Sequence, residues 1–244
     1  MSEKTTSITR AVIVAAGRSL RLHPLTENTP KALLDVGGEA MLPRSVRLLR
    51  ERGVREIAVV VGHQRGQIER ALGDDGISYL YNPFYAETNN MGSLWFARAW
   101  VGGESFLYLH ADLVYDPRLL ERMLEVPEDG DAALLVDVGP TDEEAMKVRV
   151  SADGCFESSS KEIPLDEALG EWTGIARFSG RFSAALFDAI EALLAEREFM
   201  VYDTCAFTRL AAAGRRFCIV ETGELPWIEV DFAKDLGRAR EMFG

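Results

Sequence analysis

The sequence predicts an α/β fold in which a mostly parallel sheet carries helices on both faces, with a small β-rich insertion or lobe. Apolar runs of strand length alternate with segments of helical pattern, which is typical of strand–helix–strand units. Several runs are apolar at consecutive positions, as in strands that are covered on both faces. After about residue 140 the pattern changes to hairpin signals.

The first part of the chain alternates strands and helices. The predicted strands are 11–16, 56–62, 77–82, 105–112 and 131–138. The predicted helices are 41–53, 65–73, 92–100 and 117–126. Gly53 and Gly73 suit helix ends, and Pro117 suits a first helical turn. This order predicts a Rossmann-like sheet whose ligands bind beyond the carboxyl ends of the strands.

The second part of the chain begins with a predicted hairpin around Asp153-Gly154. The remaining predicted elements are a strand at 170–179, helices at 181–197 and 203–214, a strand at 217–221 and a helix at 233–243. Neither a linker nor a repeat divides the sequence. We therefore expect a single domain over 1–244, with an inserted sheet edge or small lobe.

Composition narrows the class of protein. The chain has 39 acidic and 27 basic residues and a formal net charge of -12, which argues against a nucleic-acid partner. Its three cysteines form no C-x-x-C pair, as expected of a protein in a reducing compartment. No window holds about 18 consecutive apolar residues. We expect a cytoplasmic protein without membrane insertion, and the sequence leaves an oligomer possible.

The stretch "AAGRSLRLHPLTENTPK", residues 15–31, follows the first predicted strand. The small residues Ala15, Ala16 and Gly17 allow backbone N–H groups to approach a ligand closely. The Arg21 guanidinium suits phosphate oxygens, and Lys31 supplies a compact positive charge. The alternative is a surface loop with solvated charges. The stretch contains neither G-x-x-x-x-G-K-[ST] nor G-x-G-x-x-G, so it is neither a Walker A loop nor a dinucleotide fingerprint.

The whole stretch resembles the signature A-A-G-x-G-[ST]-R-L-x-P-L-T of the nucleotidyltransferases that activate phosphosugars and phosphoalcohols, in which a P-K pair follows. It differs at Ser19, where the family has Gly, and at Leu20, where the family has a small hydroxyl residue. The resemblance implies the nucleotide-diphospho-sugar transferase type of fold. The matching residues are Ala15, Ala16, Gly17, Arg21, Leu22, Pro24, Leu25, Thr26, Pro30 and Lys31.

The same resemblance implies a magnesium site. The family places a metal-binding acid at the end of a later strand, where this chain has Asp112. Glu229 and Asp231 resemble its second acidic site, and on an extended segment residues two apart face the same side. The alternative is a pair of solvated acids, with Asp231 capping the last helix.

The segment 81–98 indicates which members of this family the chain resembles most. Asn89 and Asn90 before a helix, followed by Ser93 in "SLW", resemble the choline-phosphate and phosphonate cytidylyltransferases. An asparagine amide can both donate to and accept from a nucleobase edge. The resemblance therefore implies CTP as the nucleotide, with these three residues in its site. Ordinary loop and helix-cap chemistry is the alternative.

The acceptor site is predicted after residue 140. Lys161 lies where the family has a lysine that contacts the acceptor's phosphate, with Lys147 as a second candidate, although each could be a surface lysine. Glu171 could pair with an amine. The residues before Lys147 are not aromatic, which favours a primary amine or a hydroxyl over the quaternary ammonium of choline. Trp172, Tyr202 and Trp227 could still supply an aromatic cage.

The predicted function is transfer of CMP from CTP to a small phosphonate or phosphoalcohol, such as 2-aminoethylphosphonate, 2-hydroxyethylphosphonate or phosphocholine, with release of pyrophosphate. About 1–140 would bind the nucleotide, about 141–232 the acceptor, and 233–244 would be a C-terminal helix. Arg21 and Lys31 would be catalytic, because phosphoryl transfer depends on positioning and charge neutralisation. The alternatives are a sugar-1-phosphate or inositol-phosphate nucleotidyltransferase and a non-catalytic nucleotide sensor.

Overall fold

Nine strands form the central sheet of the computed structural model, which describes residues 8–127 and 131–244. In chain order the first elements are β1 (Arg10–Ala15), β2 (Asp35–Val36), β3 (Glu39–Ala40), α1 (Met41–Glu51), β4 (Glu56–Val61), α2 (Arg65–Leu72), β5 (Ile77–Tyr81), α3 (Asn90–Trp95), α4 (Arg98–Val101), β6 (Phe106–His110), β7 (Leu113–Tyr115) and α5 (Arg118–Glu125). The others are β8 (Ala132–Val138), β9 (Lys147–Val150), β10 (Phe156–Ser160), β11 (Gly170–Phe178), α6 (Gly180–Ala195), α7 (Thr204–Ala212), β12 (Phe217–Glu221), β13 (Trp227–Glu229) and α8 (Ala233–Phe243).

The sheet is mostly parallel, which confirms the prediction. Its main path runs β10-β9-β11-β6-β1-β4-β5, and β8 joins β11 to β12. The strands β5, β4, β1 and β6 are mutually parallel, whereas β11 is antiparallel to β6, β8 and β9. Since β12 is parallel to β8 and β10 is antiparallel to β9, only β10 and β11 of the sheet's nine strands oppose β1.

Apolar residues on the two faces of the sheet are buried under different helices. Along β1, Val12 belongs to the apolar cluster that includes residues of α3, α6 and α7, whereas Ala11 and Ile13 belong to the cluster that includes residues of α1, α2 and α5. This alternation follows from the two-residue period of a strand. Burial on both faces explains the continuous apolar runs in the sequence, and it confirms helices on both sides.

The predicted hairpin around Asp153-Gly154 forms as β9 and β10, and Gly154 has a φ of 77° in its turn. Because β9 also pairs with β11, the hairpin extends the edge of the main sheet. The predicted helix at 92–100 is instead two helices, α3 and α4, and α3 begins at Asn90 because the Asn89 side chain caps it. None of the described helices is long and apolar enough to cross a membrane.

Two three-residue strands that the sequence did not predict bring distant segments together. β13 pairs with β7 so that Glu229 lies opposite Leu113, and the Val230 N–H donates to the Asp112 carbonyl at 3.0 Å. An apolar cluster under α8 packs this pair against the loop that follows β1. The opening loop, the end of β6 and the C-terminal acids therefore meet in one place.

Candidate active site

A cleft of about 460 Å³ opens beyond the carboxyl ends of β1 and β6. It lies where parallel α/β sheets bind ligands. Of the fourteen residues predicted for the site, twelve line this cleft, and Ala15 and Lys147 do not. The twelve are Ala16, Gly17, Arg21, Lys31, Asn89, Asn90, Ser93, Asp112, Lys161, Glu171, Glu229 and Asp231.

The loop after β1 makes one wall of the cleft. Ala15 is the last residue of β1 and pairs with Val61, so it supports the loop from within the sheet. A side chain at Gly17 would meet no other atom within 4 Å, which leaves its backbone open to a ligand. Ser19 adopts a left-handed conformation with φ 51° and ψ 44°. The buried Thr26 hydroxyl donates to the Ser19 carbonyl at 3.0 Å and secures this conformation.

Lys31 lies at the centre of the charged residues. Its Nζ is 2.6 Å from Oδ2 of Asp112 and 2.6 Å from Oδ1 of Asp231. Arg21 donates to Oδ2 of Asp231 at 2.9 Å, and its guanidinium lies 5.3 Å from the centre of the Phe232 ring. The two cations predicted for phosphate binding therefore neutralise carboxylates at the same end of the cleft.

The ionisation of this group follows from its mutual contacts. Burial disfavours the charge of Lys31, but Asp112, Asp231 and Glu229 outweigh that effect and hold its pKa above the ordinary range. Burial likewise opposes the charge of Asp112, whereas Lys31 and His110 lower its pKa. Burial and the neighbouring Asp112 raise the pKa of Glu229. Lys31 and Asp112 are thus charged at neutral pH.

The cleft contains oxygen donors for a divalent cation. Oδ1 of Asp112 is buried and has no hydrogen-bond partner. One ligand atom each from Asp112, Glu229 and His110 lies within 4.8 Å of the others. Asp231, the third predicted ligand, uses its two oxygens on Lys31 and Arg21 instead. An unpartnered carboxylate oxygen beside a second carboxylate fits the preference of Mg²⁺ for hard oxygen ligands.

The predicted nucleobase readers make internal hydrogen bonds. Asn89 accepts from the Asn90 N–H at 2.8 Å and donates to the Met200 carbonyl at 3.2 Å. Oδ1 of Asn90 accepts from two backbone N–H groups, those of Met91 and Asp203. The Ser93 hydroxyl accepts from the Asn82 amide at 3.1 Å. These side chains line the cleft, but their hydrogen bonds are those expected of residues that stabilise a loop and cap a helix, which was the alternative to nucleobase binding.

The part of the cleft that the sequence predicts for the acceptor holds Lys161 and several acids. Nζ of Lys161 lies 3.2 Å from Oε2 of Glu144. Burial first, and then the charges of Glu229, Asp142 and Asp137, raise the pKa of Glu171 to about 7. Trp172 and Tyr202 also line the cleft, whereas Trp227 packs in the apolar cluster on the other face of the sheet and does not.

Lys147 is outside the cleft, contrary to the prediction. Its side chain is buried, and Nζ donates to the carbonyls of Asp142 at 3.4 Å and Glu143 at 3.3 Å. It therefore closes the loop before β9 and cannot reach an acceptor. Sequence spacing alone could not exclude Lys147, because it begins one strand of the hairpin and Lys161 directly follows the other, so the two lysines are close in register.

Sequence reasoning missed a buried network behind the cleft. The Tyr108 hydroxyl donates to Oδ2 of Asp203 at 2.6 Å, and Nε2 of His110 lies 2.9 Å from the same oxygen. Burial alone would lower the pKa of His110, but Asp203 raises it to about 10. Asp203 caps α7 by accepting from the Thr204 N–H. A cap is the ordinary interpretation of an aspartate before a helix, so the sequence offered no signal for the second role.

The model of the MobA-like NTP transferase domain matches residues 11–200, which include the opening loop, Asp112 and Lys161. The chain belongs to this family. Nucleotidyl transfer is the activity of the class, and the cations at one end of the cleft match it.

Two curated relatives of the transferase are named for cytidylyl chemistry. The chain is 30% identical over 94% of its length to a CMP-5'-(3-aminopropyl)phosphonate synthase of Streptomyces rubellomurinus, and it covers 38% of that protein. It is 36% identical over 36% of its length to the choline-phosphate cytidylyltransferase of Streptococcus pneumoniae, and it covers 39% of that protein. The chain thus spans about two fifths of each relative.

A solved structure supports the fold. The structure of CTP:phosphocholine cytidylyltransferase from Streptococcus pneumoniae matches with a TM-score of 0.77 at 20% identity, over 96% of this chain and 99% of that chain. The transferase therefore has the nucleotidyltransferase fold that the opening signature implied.

Proposed function

We propose that this transferase domain moves CMP from CTP to a small phosphonate or phosphoalcohol that carries a primary amine, with release of pyrophosphate. The observation that carries the proposal is the acceptor end of the cleft, where Lys161 lies among Glu144 and Glu171. One cation suits a phosphonate group, and neighbouring carboxylates suit an ammonium group. The name of the Streptomyces relative, which includes an aminopropylphosphonate, supports the same acceptor class.

The reaction needs no protein nucleophile in this proposal. A phosphonate or phosphate is already ionised at neutral pH, so the protein has to align it with the α-phosphorus and reduce the repulsion between two anions. Arg21 would hold the pyrophosphate, Lys31 would neutralise the α-phosphate, and Lys161 would bring in the acceptor. Phosphate oxygens would then replace the carboxylates that Arg21 and Lys31 contact in the structure.

We propose Mg²⁺ as the metal. Asp112, Glu229 and Asp231 would hold it, with the unpartnered Oδ1 of Asp112 as the readiest ligand. The ion would supply positive charge that stabilises the phosphates as charge shifts between them. His110 lies within reach but is held by Asp203, and it carries a proton on Nε2 because a carboxylate can only accept.

The acceptor's positive group is expected to contact Glu171. An acidic side chain with a pKa of about 7 is poorly compensated by its surroundings, and an ammonium group would relieve that. Trp172 and Tyr202 line the same end, so an aromatic surface for choline is also available. We favour the primary amine, because Glu144 and Glu171 provide hydrogen-bond acceptors that a quaternary ammonium cannot use.

Pyrophosphate release tests the proposal. The assay combines CTP, UTP, dTTP and ATP with 2-aminoethylphosphonate, 2-hydroxyethylphosphonate, phosphocholine, inositol phosphate and glucose 1-phosphate, each with and without Mg²⁺. We expect turnover with CTP and the aminophosphonate. Turnover only with UTP or dTTP and a sugar phosphate would contradict the cytidine and acceptor assignments, and nucleotide binding without any turnover would favour a sensor.

A variant sharpens the acceptor assignment. Glu171→Gln should reduce kcat/KM for 2-aminoethylphosphonate by about 10- to 100-fold, since a hydrogen bond to a charged group contributes about 1.5 to 3 kcal/mol. The value for 2-hydroxyethylphosphonate should change little. An equal loss for both acceptors would mean that Glu171 does not contact the amine.

A further inference from the structure

The carboxylate of Asp203 is fully buried behind the wall of the cleft, and it does not line the cleft itself. Both of its oxygens are used. Oδ1 accepts from the Thr204 N–H at 2.8 Å, whereas Oδ2 accepts from the Tyr108 hydroxyl at 2.6 Å and faces Nε2 of His110 at 2.9 Å. The first contact caps a helix, and the last reaches a side chain of the cleft.

Several neighbours enclose the His110 ring, and the Asn90 amide nitrogen lies 3.2 Å from Nε2. The ring of Trp172 meets it edge to face at 5.0 Å between centroids. A side chain at Gly174 would lie 2.8 Å from Nδ1, so the backbone of β11 approaches that edge closely. Asp203 faces Nε2 of the ring. The other ring nitrogen, Nδ1, lies 3.9 Å from Oε1 of Glu229.

Asp203 also holds the beginning of α3. Its backbone N–H donates to Oδ1 of Asn90, the first residue of that helix, at 2.9 Å, and Asn90 lines the cleft. One residue thus connects the beginning of α7, the end of β6 and the beginning of α3. These three segments come from separate parts of the chain, and Asn90 and His110 line the same cleft.

We propose that Asp203 is a positioning residue, which acts through His110 to hold Glu229 in the orientation that metal binding requires. Its effect on turnover rests on the proposed function, whereas its effect on metal binding can be measured separately. Partners of this kind, one contact removed from a ligand, typically change metal affinity or activity by 10- to 100-fold when they are mutated.

Asp203→Asn is the decisive variant. The asparagine is nearly the same size and can keep the cap on Thr204 through Oδ1. Its Nδ2 then takes the place of the carboxylate oxygen that faces Nε2, so His110 loses the negative charge that holds its ring and its protonated form. We expect Mn²⁺ affinity, measured by calorimetry, and kcat each to fall by about 10- to 100-fold. The KM for the acceptor should stay close to the wild-type value.

Tyr108→Phe is the matched control, because it removes the other hydrogen bond to the same oxygen and Tyr108 does not line the cleft. It should lower Tm and leave Mn²⁺ affinity and kcat unchanged. If Asp203→Asn does not fold, Asp203→Ser replaces it, since serine also caps helices but cannot reach His110. The same losses are then expected.

The proposal is overturned if Asp203→Asn behaves as Tyr108→Phe does, with a lower Tm and unchanged metal affinity. It is also overturned if the variant raises the acceptor KM at constant kcat, because Asp203 would then only shape the neighbouring loop at Met200 and Tyr202. If the wild-type protein turns over no acceptor, the proposed function fails, and the Mn²⁺ comparison still decides the role of Asp203.

Discussion

Nζ of Lys31 lies 2.6 Å from Oδ2 of Asp112, and the same ammonium lies 2.6 Å from Oδ1 of Asp231. A single lysine therefore neutralises two of the three carboxylates that are proposed to hold the metal. Glu229 adds a third negative charge nearby, which contributes to the raised pKa of Lys31. Lys31 thus compensates charge in the site before nucleotide binds.

Replacing this lysine should have opposite effects on turnover and on metal binding. Lys31→Met should lower kcat by about 100- to 1000-fold, because a contact to developing charge is lost. The affinity for Mn²⁺ without nucleotide should rise, because three carboxylates lose their counter-charge. Pyrophosphate release and calorimetry measure the two quantities.

Lys234→Met provides the control, since Lys234 is exposed in the first turn of α8. It should change neither quantity. Wild-type turnover in Lys31→Met would remove Lys31 from the mechanism. A fall in Mn²⁺ affinity would show that Lys31 supports the metal ligands rather than competing with the metal for them.

Much of the fold was predictable because apolar runs of strand length stand out in the sequence. The runs at 11–16 and 56–62 became β1 and β4, whose side chains are buried on both faces. In contrast, β7 and β13 have three residues each, too few for a visible alternation. Their pairing places Glu229 beside Asp112, so the sequence could predict the acids but not the contact that joins them.

The site residues also differ in how far the sequence alone could predict them. Lys31 was predictable because it belongs to a long motif, whereas Lys147 stayed a second candidate beside Lys161 until the packing showed that Lys147 is buried. Asn90 has the amide of a nucleobase reader, yet its partners include Asp203, which lies 113 residues away. Such contacts depend on tertiary structure, which local spacing does not encode.

Ser19, where the family motif has glycine, is expected to lower the free energy of unfolding. It has a left-handed conformation, with φ 51°, that disfavours every residue except glycine by about 1 to 2 kcal/mol. Ser19→Gly should therefore raise the free energy of unfolding, by up to about 1 kcal/mol after the extra chain entropy of glycine is subtracted. Urea denaturation measures the change.

Two further substitutions at position 19 test the cause. Ser19→Ala should be close to wild type or slightly less stable, and Ser19→Val should be the least stable, because a β-branched residue tolerates positive φ poorly. Equal stability of the glycine and valine variants would contradict a backbone origin. The Leu20 side chain is 57% exposed, and nothing in its surroundings explains why leucine stands there.

Glu171 should make stability depend on pH. Burial and nearby acids raise its pKa from 4.5 to about 7, so between these values the folded protein binds a proton that the unfolded chain has released. The contribution of Glu171 to the free energy of unfolding is fully present below pH 4.5. It is lost as the pH rises to 7, because the unfolded chain then releases a proton that the folded protein still binds. Glu171→Gln removes the effect, and the variant should gain about 1 to 2 kcal/mol over wild type between pH 5 and pH 8.

Urea denaturation of the metal-free proteins at the two pH values checks this prediction. The quantity of interest is the difference between variant and wild type, because other groups titrate equally in both. A difference that is the same at pH 5 and pH 8 would mean that Glu171 is ionised normally in the folded protein. The basis for its contact with an amine would then be lost as well.

Gly174 and Gly154 form a matched pair. Both have positive φ, 86° and 77°, so alanine at either position costs about 1 to 2 kcal/mol from the backbone alone. A Cβ at Gly154 would meet nothing within 4 Å, whereas one at Gly174 would lie 2.8 Å from Nδ1 of His110. Gly174→Ala should therefore destabilise the protein more than Gly154→Ala does, by urea denaturation.

The two variants should differ in turnover as well. Gly154→Ala changes a hairpin turn that does not line the cleft, and its kcat should match wild type. Gly174→Ala should displace the His110 ring and lower kcat, because the orientation of Glu229 depends on that ring. Equal stability and equal turnover in the two variants would show that β11 can move to accommodate a Cβ, and that His110 is less constrained than its contacts indicate.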